Sequence, residues 1–176
     1  MDRGLLARVE ASLRADATLV PTMRDLARGL SERLLDGDED APARVAMVTH
    51  ELLENAVKYA LEDAAYLCIE VRAEGEAAVV TITTRNRAAP EHARAVVRAC
   101  EAMAAEADAL AYYVALMRRN APLEGSGLGL ARIWAEGDMT VACEVAGHDL
   151  VLSARAAVAL SAPGGRGGVE TPAAPD

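Results

Sequence analysis

Two hairpin-like pairs of alternating apolar segments bracket a long helical stretch, and this arrangement most narrows the folds open to the chain. Tyr66–Arg72 and Ala78–Thr84 alternate as strands around Glu74-Gly75-Glu76, and Met139–Val145 and Leu150–Arg155 do so around Gly147. Between them, Glu91 to Asn120 is alanine-rich, with a helical stripe of Val96, Val97, Cys100, Met103, Leu110, Tyr113, Val114 and Met117. A loop with Pro122 and Gly125 to Gly129 follows, and Leu130–Trp134 opens another helix. Upstream, Leu5, Leu6, Val9 and Leu13 suggest a first helix. Met23, Leu26, Ala27, Leu30 and Leu34, after Pro21-Thr22, suggest a second. Val45, Val48, Leu52, Ala56 and Ala60 mark a third over Ala43–Leu61. Helices, a hairpin, helices and a second hairpin predict an α+β two-layer sandwich, with a mixed or antiparallel sheet and helices on one face. A doubly wound sheet needs regular βαβ alternation, which this chain lacks. Residues 1–162 are expected to form one domain, and the Gly-, Pro- and Ala-rich tail 163–176 to be disordered.

Composition narrows function. The 176 residues are 52% apolar, enough for a sizeable core, and carry a net charge of -9. An acidic surface repels phosphate backbones, so no nucleic-acid partner is expected. No apolar run reaches the roughly 20 residues that span a bilayer, and Met1-Asp2-Arg3-Gly4 leads into no signal peptide, so no membrane partner is expected either. Cys68, Cys100 and Cys143 are scattered, as are His50, His92 and His148, which points away from disulfides and clustered metal ligands. A reducing cytoplasm is the expected setting. The acidic run Asp36-Gly37-Asp38-Glu39-Asp40 fails as a calcium loop. Ala41 stands where such a loop needs glycine and Met47 where it needs glutamate, so a solvated turn is expected.

Two segments carry chemistry. Glu51, Asn55 and Lys58 recur at i, i+4 and i+7 and form one polar row on the third helix. A carboxylate, an amide and an ammonium in one row suit a metal-bound polyphosphate; the same row also suits a solvated face with ordinary charge pairs. Gly125-Ser126-Gly127-Leu128-Gly129 precedes a helix start, where backbone N–H groups favour anions; taken alone it equally suits a flexible hinge. It is neither a P-loop nor a dinucleotide fingerprint.

In this order and spacing, the two segments resemble the GHKL ATPase superfamily of gyrase, histidine kinases and anti-sigma serine kinases. The resemblance covers about Ala43 to Ala156. Glu51-Leu52-Leu53-Glu54-Asn55-Ala56-Val57-Lys58-Tyr59 resembles the family's N-box, and Gly125 to Leu130 its second glycine box. The resemblance implies a Bergerat-type ATP-binding fold with ATP and Mg2+ as cofactors. It implies Glu51 as general base, Asn55 as Mg2+ ligand, and Lys58, Tyr59, Gly125, Ser126, Gly127, Leu128 and Gly129 around the nucleotide. A lid over it would run from about Ala105 to Leu123. The family's Asp-x-Gly-x-Gly box is absent. Asn86 stands at its aspartate, followed by Arg87-Ala88-Ala89-Pro90, so any adenine contact there would lack charge assistance. His50-Glu51 resembles a histidine-kinase phosphoacceptor box only superficially: its usual proline is missing and position 55 is Asn, so the match belongs to the N-box. Size and organisation resemble the stand-alone, partner-switching branch. That implies a regulator binding a sigma factor or antagonist-like domain, with possible phosphorylation of a protein serine and possible homodimerisation. The alternatives are a nucleotide-free interaction module and the catalytic part of a split histidine kinase.

Overall fold

The computed structural model describes residues 4–119 and 127–160. Alternation produces the sheet directly. β2 (Ala65–Glu74) and β3 (Ala77–Arg87) pair antiparallel around Gly75, whose φ of 66° suits a residue without Cβ. β4 (Thr140–Ala146) and β5 (Asp149–Ala159) form the second hairpin around Gly147, and β5 pairs antiparallel with β3. β1 (Leu5–Leu13) completes a five-stranded sheet in the order β1-β2-β3-β5-β4. Every described pairing is antiparallel, which settles the expected choice between a mixed and an antiparallel sheet.

The expected first helix is thus a strand. Leu5, Leu6, Val9 and Leu13 fit a helical period, but Ala7, Val9, Ala11 and Leu13 also alternate with Arg8, Glu10 and Ser12. Register decides: Val9 lies opposite Ile69 and Ala11 opposite Leu67, which extends the apolar face of β2.

That face carries the core. Leu67, Ile69 and Val71 of β2, Val80 and Ile82 of β3, and Leu150, Leu152 and Ala154 of β5 are buried beneath the helices. α2 (Ala41–Lys58) lies on β2, β3 and β5 through Val45, Val48, Leu52 and Ala56, as its apolar stripe predicts. α1 (Val20–Leu34) packs on α2. The acidic loop between them is a turn that starts α2. The Asp38 carboxylate accepts hydrogen bonds from the Asp40 and Ala41 N–H groups at 3.0 and 3.1 Å and from Arg44 at 2.5 Å. The Arg44 guanidinium foremost holds the Asp38 carboxyl below the usual carboxylate range.

The alanine-rich stretch divides into α3 (Pro90–Ala104) and α4 (Ala109–Arg119). Asp108 accepts from the Ala111 N–H at 2.9 Å and so opens α4. α5 (Gly127–Gly137) begins three residues before the expected Leu130, so Gly127 and Gly129 are helical rather than part of the loop. α5 rests against α2, α4 and β4. A Cβ on Gly137 would stand 2.6 Å from Val48 Cγ2, so α5 and α2 meet there without room for a methyl group. Gly137→Ala is expected to destabilise the fold by about 1–3 kcal/mol through overpacking, read as a lower midpoint in urea denaturation.

Candidate functional site

The polar row of α2 faces the first turns of α5. A Cβ on Gly129 would lie 2.8 Å from Glu51 Oε2 and 3.6 Å from Asn55 Nδ2. Two segments distant in sequence therefore touch, and a side chain at position 129 would push the Glu51 carboxylate aside. Gly127 sits at the start of the same helix, where a Cβ would just reach Ala99 of α3 at 4.0 Å. Leu128 is half-buried between them. Gly125 and Ser126 lie outside the described residues. So do residues 120–123 of the expected lid; its described part is residues 105–108 and α4, which packs on α5 with Tyr113 buried and Tyr112 edge-on to Trp134 at 6.2 Å. The tail expected to be disordered also lies outside the described residues.

Glu51 is engaged. Arg132 Nη1 donates to Glu51 Oε1 at 2.8 Å, and its Nε donates to Glu136 Oε2 at the same distance. The Glu51 side chain is 14% exposed, so this charge-assisted bond is shielded from much of the solvent. The hydrogen bond to Glu136, then that to Glu51, raises the Arg132 pKa above its ordinary value. Arg132 is not among the site residues expected from the sequence. Its signal was position: three residues after Gly129 and four before Glu136, it shares the α5 face that meets α2.

A second group caps the C-terminal end of α2. The Tyr59 ring stacks on His92 of α3 with centroids 3.7 Å apart and planes 19° from parallel. Lys58 is exposed, and its Nζ lies 5.2 Å from the Tyr59 centroid. His92 was also not expected at the site, and no spacing in the chain marks it. Burial, ahead of the nearby Lys58 charge, lowers its pKa.

Asn86 lies apart from this seam. β3 runs on past Thr84, so Asn86 is a buried strand residue opposite Leu150, and its Nδ2 donates to the Arg87 carbonyl at 3.2 Å. Arg87 pairs with Glu62. His50 lies 3.6 Å from Glu54, and its Nδ1 is buried with no hydrogen-bond partner. Among the described residues, no three His, Cys, Asp or Glu side chains cluster as metal ligands. A cavity of about 450 Å3 opens between α3 and the β4–β5 turn, walled by Ala88, Pro90, Ala93, Val97, Val145 and His148. None of the site residues expected from the sequence lines it.

No protein-family model matches the chain, and no curated protein matches it. Among solved structures it is similar to a chain in the crystal structure of the SiaB–SiaC complex from Pseudomonas aeruginosa. Identity is 19% over 88% of this chain and 91% of that chain, with a TM-score of 0.59. The likeness shows a shared α+β fold across nearly the whole of both chains.

The stack makes a pH prediction. Because the folded pKa of His92 lies below its unfolded value, the unfolded state takes up the proton first as pH falls. Stability is therefore full above the unfolded histidine pKa of about 6.5 and declines below it, down to the folded pKa. The thermal midpoint is expected to drop across this window, and His92→Phe, which keeps a ring on Tyr59, to flatten the slope.

Proposed function

We propose that this chain is a regulatory domain that binds a protein partner in a partner-switching circuit and holds Mg-ATP at the seam between α2 and α5. One observation carries the nucleotide part: Gly129 lies against Glu51 and Asn55. The donor set suits the group on its metal and phosphate side. Carboxylate and amide oxygens are hard ligands of the kind Mg2+ takes, and the ion needs few of them because phosphates and water complete its shell. Asn55 would hold the ion, exposed Lys58 would offset phosphate charge, and the first turn of α5 would bring backbone N–H groups to an anion. Bound Mg-ATP supplies a phosphoryl group for transfer. Glu51 would take the proton of an incoming serine hydroxyl, with Arg132 fixing its orientation. The partner half of the proposal draws support from the structural neighbour, which was crystallised in a two-protein complex.

A second reading, a nucleotide-free interaction module, has its own support. Glu51 is tied to Arg132, Tyr59 to His92, and the Asn86 amide N–H to a backbone carbonyl. In this reading the seam is a structural contact, and the fold serves only to present a protein-binding surface.

Calorimetric titration of ATP and ADP, with and without Mg2+, separates the two. The first reading expects micromolar, Mg2+-dependent binding that Asn55→Ala weakens roughly tenfold, about 1.4 kcal/mol. Titrations without heat, together with an unchanged thermal midpoint, would select the second.

A further inference from the structure

We infer that β1 is a self-pairing edge: two copies of this chain join β1 to β1, antiparallel, about a two-fold axis at Val9. Among the described residues, β1 pairs with β2 on one side only and forms one margin of the sheet. Exposed edges invite pairing, and proteins commonly guard them with proline, lysine or a very short strand. This edge runs for nine residues and contains no proline, lysine or glycine; its one register shift lies between Leu5 and Ala7, ahead of the stretch centred on Val9.

What it contains is a palindrome of chemistry. Around Val9 the strand reads Ala7, Arg8, Val9, Glu10, Ala11. An antiparallel two-fold at Val9 sets Arg8 opposite Glu10 of the second copy, Glu10 opposite Arg8, and Ala7 opposite Ala11. Residues opposed in this way share a face of the sheet. Arg8 and Glu10 lie on the face away from the helices, with side chains 50% and 46% exposed; in the single chain they pair with each other, Arg8 Nε donating to Glu10 Oε1 at 2.6 Å, and dimerisation would exchange that local pair for two pairs across the axis. Within one chain Arg8 also bonds to Glu70 of β2 at 3.1 Å. The joined sheets would then carry an alternating row of Glu70, Arg8 and the second copy's Glu10, repeated in reverse across the axis. On the helix side Ala7, Val9 and Ala11 are only half-buried, and the second copy would cover them. Moving the axis by one residue in either direction loses the charge match, because it sets Arg8 opposite Arg8 or Glu10 opposite Glu10. The opposite margin, β4, offers no such match, because Glu144 is its single charged residue.

The closing experiment uses the full chain without nucleotide, so it stands or falls apart from the Mg-ATP reading. Light scattering at micromolar concentration is expected to give twice the chain mass. Arg8→Glu places two glutamates opposite each other at both cross-axis pairs, and Glu10→Arg places two arginines there, so each variant alone is expected to run as a monomer. Mixed in equal amounts, they should regain the dimer, because both cross-axis pairs are then opposite in charge. Circular dichroism confirms that each variant is folded, and a variant that is not is replaced by Arg8→Ala or Glu10→Ala, each expected to weaken the dimer. A monomeric wild type, a dimer that survives in both charge variants, or a mixture that stays monomeric overturns the inference.

Discussion

The close approach of α5 to α2 is the contact on which the rest of the arrangement depends. Gly129, Ile133 and Gly137 follow one another at intervals of four along a single α5 ridge. Ile133 is fully buried, while the two glycines sit where a Cβ would meet Glu51 and Val48. A methyl group at Gly137 would press on Val48 and push the helices apart, and one at Gly129 would displace the Glu51 carboxylate from its place beside Arg132. The same helix α5 also carries α4, and α3 packs beside β4.

From this contact the site acquires its electrostatic character. Arg132 is shared between carboxylates on two helices, one of them largely shielded, so it links α2 to α5 by charge as well as by shape. The stacked Tyr59 and His92 do a similar task at the end of α2, fixing it to α3 through ring contact.

Function reads less directly than fold. The likeness to a chain of the SiaB–SiaC complex extends along nearly the whole molecule at low identity, so it speaks to architecture. The chemistry must be argued from the seam itself. There the oxygen donors and the glycine approach favour a nucleotide, while the internal pairings of Glu51, Tyr59 and Asn86 favour a protein-binding role.

Much of the architecture was legible in the chain because it follows from local periodicity. The two hairpins and α2 fell where alternation and a helical stripe placed them, within a few residues at their ends. β1 was misread because Leu5, Leu6, Val9 and Leu13 satisfy two periods at once; only pairing with β2 chooses between them. The single long helix divided at Asp108, and α5 began early, since helix ends depend on caps and packing more than on composition. Within the site, the sequence by itself determined which side chains share the polar row of α2, for helical geometry fixes neighbours a turn apart. Tertiary structure alone decided that Gly129 meets Glu51, that Arg132 closes on that carboxylate, and that His92 lies on Tyr59. Those contacts join segments far apart in the chain, and no local spacing encodes the distance between them.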